Sequence, residues 1–395
     1  MRKYKKVSKN KDFRLNFTFI VANMQQMNKI YVYQRFFGFF QLFQWYFYTN
    51  SYEYLTKKEL TMNKLTKIGV TALCGSLAAV ASANAGSMTV KGGATATWSS
   101  NSEAVTGNPI GMNSGLTFTG SGELDNGTTF TLTVTHADKA AYSASQIALT
   151  TPTLGTFTID QSGGGLDRID DMMPTAWEET TGTSLGTGIV NVVGVSGGAS
   201  VDWAVSGDML PDGMSVNLAY SPRVTGSAAN DKGTGGAGNS VSGSGYDVVL
   251  QYSGLVDGLN VFGGWSAVEQ AAAAASGDKS ERTLGATYAT GGVTLGYQYS
   301  MSNSNSKTST ATDEYENTLY GVSFAVNDDL SISYGSQKSE RTKVNASTVE
   351  ASVDSIQLAY SMGGASIKIA ETDAENISYG TADKGATTLA LTLAF

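Results

Sequence analysis

The last nine residues of the chain alternate between apolar side chains and small or polar ones. Leu389, Leu391, Leu393 and Phe395 share one face of an extended strand, and the residues between them are Thr or Ala. Because side chains point to opposite faces of a strand in turn, this segment predicts a β-strand with one apolar face. The same alternation predicts sixteen strands, at residues 90–98, 116–124, 130–135, 146–150, 156–160, 201–206, 216–221, 246–252, 259–265, 284–288, 293–299, 320–326, 330–334, 356–360, 367–370 and 389–395.

The segments between these strands alternate in length. Seven short turns are rich in Asn, Asp and Gly, which tolerate the positive φ angles of tight hairpins, and they lie at residues 125–127, 152–155, 211–213, 257–258, 291–292, 327–329 and 363–364. Eight long loops lie at residues 99–114, 137–144, 162–198, 222–243, 267–281, 302–314, 340–350 and 372–384. The sequence therefore predicts an all-β fold, a transmembrane antiparallel β-barrel of about 16 strands with long outer loops and short periplasmic turns.

A secretory signal peptide precedes the predicted barrel. Residues 62–67 are basic, residues 68–80 are apolar, and Ala83-Asn84-Ala85 fits a cleavage site. The apolar run is too short for a membrane-spanning helix. A lipoprotein attached through Cys74 is disfavoured, because Leu73 stands where a small residue is expected.

Residues 1–61 differ in composition from everything that follows, with many Lys, Asn, Phe, Tyr and Ile residues. Residues 36–48 are nearly continuous aromatic sequence, although Arg35 and several Gln weaken a membrane-helix interpretation. Lys58-Glu59 can be encoded by a ribosome-binding sequence just before Met62. We therefore interpret residues 1–61 as leader from a start placed too early, residues 62–85 as signal peptide and residues 86–395 as the barrel.

Composition excludes several functional classes. Residues 86–395 hold 13 Lys and Arg against 31 Asp and Glu, a net charge of −18 that disfavours nucleic-acid binding. The only cysteine, Cys74, lies in the predicted signal peptide, so the mature chain would form no disulfide. His136 is the only histidine, and no nucleophile–base set, phosphate loop or zinc spacing is present. We expect neither an enzyme nor a bound cofactor.

The strand count, the loop order and the terminal Phe395 together resemble the trimeric general porins of Gram-negative bacteria. The resemblance covers residues 86–395 and is architectural. It implies an outer-membrane homotrimer, surrounded by outer-membrane lipid, through which ions and small hydrophilic solutes diffuse passively. It also implies that the third outer loop, here residues 162–198, folds into the barrel and narrows it.

This third loop is rich in charged residues, which we take as the pore constriction: Asp167, Arg168, Asp170, Asp171, Glu178 and Glu179. Strand alternation adds charged candidates for the pore wall: Lys91, Asp160, Asp202, Asp247 and Lys368. Carboxylates in a narrow aqueous pore attract cations and repel anions, so we expect cation selectivity. General porins carry an arginine cluster on the wall opposite this loop. Residues 86–395 contain only four Arg, and none lies in the middle of a predicted strand, so no such cluster is expected here. The alternative is that the carboxylates only keep the loop soluble.

Two other interpretations stay open. The barrel could have a plugged lumen and act as a surface adhesin or structural protein, which the absence of conductance would indicate. The acidic outer loops, including Asp313, Glu314 and Glu316, offer clustered oxygens suited to Ca²⁺. No loop with the ligand spacing of a calcium-binding motif is visible, so we prefer the interpretation that these residues are solvated surface charges. A secreted β-solenoid would need a short fixed repeat, which the chain lacks.

Overall fold

The computed structural model describes residues 86–102, 107–138, 140–160, 164–182, 185–196, 199–224, 242–270, 275–309 and 311–394, with the backbone alone at 140–143. The predicted leader, the predicted signal peptide and Phe395 lie outside these residues. Within them, the helical segments are three short 3-10 turns, and no helix is long and apolar enough to cross a membrane.

Sixteen strands form one closed antiparallel barrel in which each strand pairs with the next and the last pairs with the first. The strands are β1 Met88–Asn101, β2 Ile110–Glu123, β3 Thr129–Ala137, β4 Ala140–Thr151, β5 Gly155–Asp160, β6 Ser200–Val205, β7 Met214–Ser221, β8 Ser242–Tyr252, β9 Leu259–Gln270, β10 Lys279–Thr290, β11 Val293–Asn303, β12 Thr312–Ala325, β13 Leu330–Lys343, β14 Val349–Met362, β15 Ala365–Glu375 and β16 Lys384–Ala394. The predicted fold class is confirmed, with each predicted strand at its place in the order.

The pairing of β16 with β1 closes the barrel. Trp98 lies opposite Leu389 and Thr95 opposite Thr392, where the two Thr hydroxyls are 3.1 Å apart. On its other edge β16 pairs with β15, with Leu391 opposite Ile367. The strand that the sequence marked most clearly is therefore the strand that leaves the sheet without a free edge.

Several strands are longer than the alternation predicted, and the largest extensions run toward the long loops. β13 was predicted to end at Tyr334 and continues to Lys343, and β10 begins at Lys279 rather than Leu284. In this added part of β13, the outward positions are occupied by Lys338 and Glu340. Polar residues occupy both faces there, so the alternation that identifies a half-apolar strand disappears while the hydrogen-bonded ladder continues.

The outward face of the barrel is largely apolar, and its charged residues include several on β12–β15. Leu389, Leu391 and Leu393 of β16 point outward, and the residues between them point into the barrel. Aromatic residues are exposed on this surface, among them Trp98, Phe118, Tyr220, Trp265, Tyr288, Tyr297, Tyr334 and Tyr360. Tyr252 and Tyr299 are half-buried, and the Tyr299 hydroxyl donates a 2.8 Å hydrogen bond to Glu316.

The seven short turns at one end of the barrel fit their sequences. Gly127, in the Asp-Asn-Gly turn between β2 and β3, has a φ of 79°, a backbone region that strongly favours glycine. The Asn126 side chain accepts a hydrogen bond from the Thr128 N–H and completes this turn. The turn residues therefore set the register in which each hairpin pairs.

The two faces of β16 make opposite demands on side-chain polarity. We predict that Leu391→Lys lowers the stability of the barrel in lipid by on the order of 2 kcal/mol, because it places a charge against hydrocarbon. Thr392→Lys, one residue along on the inner face, serves as the matched control and should cost far less. Folding into lipid vesicles, followed by the heat-dependent shift in gel mobility, measures both, and equal costs would contradict the assigned faces.

Candidate functional site: the third long loop inside the barrel

The third long connection, residues 161–199 between β5 and β6, is here called loop 3. Its described residues, 164–182, 185–196 and 199, lie along the inner wall of the barrel. Its backbone bonds to inward side chains on strands as far apart as β6 and β14. The Ala176 N–H, for example, donates to Ser333 on β13, and the Asn317 side chain on β12 donates to the Val190 carbonyl. The expected inward fold of this loop is therefore present in the structure.

Three buried carboxylates on the wall hold the two ends of loop 3. Asp247 on β8 accepts hydrogen bonds from Leu166 N–H at 2.8 Å, near the start of the loop, and from Val195 N–H at 3.0 Å, near its end. Asp202 on β6 accepts from Gly165 N–H at 2.9 Å. Backbone N–H groups of loop 3 therefore donate to one oxygen of each of these two buried carboxylates.

Glu281 on β10 is the third of these carboxylates. It accepts a 2.6 Å hydrogen bond from the Gly194 N–H and a 3.2 Å bond from the Val193 N–H. Its other oxygen lies 2.7 Å from the Lys279 ammonium group and 2.9 Å from the Ser302 hydroxyl. An ion pair therefore supports the returning arm of loop 3.

Apolar packing fixes both arms of loop 3 against the wall. The side of loop 3 that faces the wall forms one buried cluster with the neighbouring strands. Its members are Leu166, Ile169, Met173, Val192, Val249, Phe262 and Leu319. Val249, Phe262 and Leu319 belong to β8, β9 and β12 and point into the barrel. The barrel thus has a local hydrophobic core although its lumen is otherwise polar.

A row of inward glycines gives loop 3 room to approach the sheet. Gly296 on β11 lies opposite Gly321 on β12, and Gly321 lies opposite Gly335 on β13. A Cβ on Gly296 would lie 2.5 Å from Pro174, and a Cβ on Gly335 would contact the Thr180 hydroxyl. These glycines therefore form a groove that any larger side chain would fill.

Four carboxylates of loop 3 form a cluster whose members influence one another electrostatically. Burial, followed by the nearby charges of Glu179 and Asp167, raises the pKa of Asp170 to about 6. Burial also raises the pKa of Asp171 to about 6, with a further contribution from Asp170. Four of the predicted constriction residues, Asp167, Asp170, Asp171 and Glu179, thus act on one another electrostatically.

The bases near loop 3 are engaged with acids or aromatic rings. The Arg168 guanidinium group lies 3.2 Å from the Asp202 carboxylate, so it is paired with a wall anchor rather than with the acidic cluster. Lys368 on β15 lies 5.9 Å from the centre of the Trp177 ring, and its charge lowers the pKa of Glu178 against the larger raising effect of burial. Glu178 is therefore set apart from the four clustered carboxylates.

The predicted pore-wall residues divide into two groups. Asp202 and Asp247 point inward as the alternation predicts, but each is only 1% exposed because loop 3 covers it. Their assignment to the open pore wall is therefore corrected to that of loop anchors. Asp160 accepts a 2.9 Å hydrogen bond from Gln146, and Lys91 is exposed on β1 near the end with the short turns.

The inner wall that loop 3 leaves uncovered is formed by β1–β4, whereas Ala386 of β16 packs against Leu185 of loop 3. The described mid-strand positions of this wall carry Thr, Ser, Asn, Gln, Gly or Ala, and cross-strand hydroxyls lie close together, as with Thr117 and Thr135 at 3.4 Å. The charged residues of this wall, Lys91 and Glu123, lie at or within three residues of a strand end. A line of hydroxyls therefore faces an acidic loop.

Sequence analysis missed the residues that seat loop 3. Glu281, Gln298 and Gln357 are inward side chains that bond its backbone, and Gly321 clears its path. The inward positions of the strands that contact loop 3 carry Gly, Gln and buried acids, whereas those of the uncovered strands carry mainly Thr. This difference in the sequence could have identified the wall that holds the loop. Among the described residues, no group of three or more His, Cys, Asp or Glu side chains is placed to hold a metal ion.

Comparison with known proteins gives the family. A family model described as Gram-negative porin matches residues 69–365. The chain belongs to this family. It is therefore an outer-membrane porin, and its closed barrel is a transport channel of the outer membrane. A comparison with curated protein sequences finds no match.

Solved structures share the fold at low sequence identity. Salmonella typhi OmpF, in complex with daunomycin, is 14% identical, with 78% of this chain and 97% of that chain covered and a TM-score of 0.60. In-vitro folded Vibrio cholerae OmpT is 10% identical, with the same coverage and a TM-score of 0.58. An anion-selective porin from Comamonas acidovorans is 14% identical over 78% and 99% of the two chains, with a TM-score of 0.55. These structures support the barrel architecture.

The glycine groove leads to a stability prediction. Gly335→Val would push the wall into Thr180, and we expect this overpacking to cost about 1–3 kcal/mol of unfolding free energy. Gly115→Val is the matched control, because an added Cβ on this uncovered inner wall would meet only the His136 carbonyl at 3.6 Å. Unfolding midpoints in detergent compare the two, and a destabilisation shared equally by both variants would contradict the groove.

Proposed function

We propose that this porin forms a water-filled channel that prefers cations, and that loop 3 sets the preference. The observation that carries the proposal is the cluster of Asp167, Asp170, Asp171 and Glu179 on a loop that lies inside the barrel. Carboxylates gathered at a narrow aqueous passage lower the energy of a cation there and raise that of an anion. Ions and small hydrophilic solutes would cross by passive diffusion.

The opposing wall supports the same sign of selectivity. Its described mid-strand positions carry hydroxyls, amides and small residues, so they supply no fixed positive charge to offset the loop. The nearby bases Arg168 and Lys368 are engaged with Asp202 and with Trp177 and Glu178. The anion-selective porin from Comamonas acidovorans shares the fold. The fold is therefore compatible with either sign, and side chains must decide it.

We also propose that the protein assembles as a homotrimer. A trimer form is described for Vibrio cholerae OmpT, which is 11% identical with a TM-score of 0.57. The described outward residues of β1–β5 include no Asp, Glu, Lys or Arg, whereas β12–β15 carry outward carboxylates such as Glu316, Asp354 and Glu371. An uncharged face of this kind suits contact with a neighbouring copy as well as with lipid.

Planar-bilayer recordings test the selectivity. In a KCl gradient, the reversal potential of the wild-type channel should favour K⁺, and Asp170→Asn/Asp171→Asn should move it toward zero. Asp208→Asn/Asp212→Asn removes the same charge from the exposed turn between β6 and β7 and serves as the matched control. A folded wild-type protein without conductance would instead support the non-conducting adhesin or structural barrel. An anion preference would contradict the proposed role of loop 3.

The raised pKa values predict a pH dependence of selectivity. A carboxyl with a pKa of about 6 is mostly ionised at pH 7.5 and mostly protonated at pH 5, so cation preference should fall as the pH decreases, with its midpoint near 6. Ordinary exposed carboxyls would titrate near pH 4. In Asp170→Asn/Asp171→Asn the reversal potential should be nearly constant over this range. A wild-type midpoint at or below about pH 4.5 would be evidence against the assignment.

A further inference from the structure

Three glutamines on the wall beneath loop 3 are almost completely buried. Gln298 on β11, Gln337 on β13 and Gln357 on β14 are 0%, 0% and 2% exposed. A primary amide carries two N–H donors and an acceptor oxygen, and burying it without partners is costly. These side chains find most of their partners in loop 3, so they contact the constriction from behind without adding charge to it.

Gln298 holds the backbone on both sides of the two central carboxylates. Its amide nitrogen donates 2.8 Å hydrogen bonds to the carbonyls of Ile169 and Asp170. Its oxygen accepts a 3.0 Å hydrogen bond from the Met172 N–H. The segment that carries Asp170 and Asp171 is therefore clamped at its start and at its end by one side chain.

Gln357 does the same for the next part of the loop. Its oxygen accepts hydrogen bonds from the N–H groups of Trp177 and Glu178, both at 3.0 Å, and its nitrogen donates to the Glu178 carbonyl at 2.9 Å. Glu179 follows directly. Gln337 bonds the side chain of Asn191 on the returning arm at 2.7 Å, and Asn191 in turn is hydrogen-bonded to Asp170.

We propose that Gln298 and Gln357 are the positioning residues of the selectivity filter: they are uncharged, but they fix the backbone from which the four clustered carboxylates project. This inference rests on the proposed function. Loop 3 has few backbone hydrogen bonds of its own, so wall side chains must satisfy its polar groups. When either clamp is lost, the loop should sample other positions and spread its charge over a wider opening.

Neutral substitutions test the selectivity effect. Gln298→Met and Gln357→Met keep the approximate length of the side chain and remove its hydrogen bonds. We expect each to reduce the K⁺/Cl⁻ permeability ratio by a factor of about two or more without changing any charge. Gln251→Met is the matched control, because Gln251 lies on the inner wall of β8 near a short turn and makes no hydrogen bond to the described part of loop 3.

Disulfide trapping measures the position of the loop independently of conductance. A Cβ on Gly321 would lie 3.2 Å from the Met173 Cβ, only slightly closer than the spacing of about 3.5–4.5 Å in disulfides. In a Cys74→Ser background, Met173→Cys/Gly321→Cys should therefore cross-link readily under mild oxidation. Adding Gln298→Met should slow cross-linking at least about fivefold, because a clamp of three hydrogen bonds is missing.

The cross-link also provides a rescue. Once formed in the Gln298→Met background, it should restore the permeability ratio, and reduction should remove the restoration. An unchanged cross-linking rate, unchanged selectivity or a failure of the cross-link to rescue would each overturn the positioning role. If Gln298→Met does not fold, the same measurements on Gln357→Met decide. A different outcome would contradict only the proposed function: the wild-type channel shows no cation preference, while Gln298→Met still slows cross-linking as expected.

Discussion

The hydrogen bonds between β16 and β1 are the constraint on which the whole structure depends. In hydrocarbon an unpaired backbone N–H or C=O has no water to bond, so a sheet that spans a membrane cannot keep an open edge. Closure fixes which face of each strand meets lipid and which meets the lumen. Every later feature follows from that division: the outward Leu391, the inward Thr392, and the fact that a long loop entering the barrel meets a polar wall.

The backbone N–H and C=O groups of loop 3 also need hydrogen-bond partners, although this loop lies inside the barrel and not in hydrocarbon. It is irregular and lies in a confined space, and its polar groups are satisfied mainly by inward side chains instead of by a neighbouring strand. Buried acids hold its two arms near the entry and exit points, glutamines hold its middle, and apolar packing fills the space between. Charge therefore has two uses on this barrel. Asp202, Asp247 and Glu281 hold the loop, whereas the carboxylates of the loop itself carry the proposed selectivity.

The fold was predictable from the sequence because each spanning strand carries apolar side chains on its lipid face and polar or small side chains on its inner face. Alternation at Leu389–Leu393, together with turn residues such as Gly127, defined strand number and order. The outer extensions of β10 and β13 were not predictable, since both faces there meet water and the pattern vanishes. The acidic content of loop 3 was visible in the sequence, but its seating was not. Asp202 and Asp247 were expected to line the pore, because alternation tells which way a side chain points and not what covers it.

The glycine row Gly296, Gly321 and Gly335 has a consequence for how this barrel can change over evolutionary time. The groove couples the wall to the loop, because a residue larger than glycine on the wall requires a smaller or displaced partner at Met173, Pro174 or Thr180. The two segments are far apart in the chain, yet they must vary together. The hydroxyl wall across the lumen has no such counterpart and is free to drift. We therefore expect substitutions in loop 3 and in β11–β13 to occur together during evolution. Substitutions that change the solute preference should occur on the opposite wall.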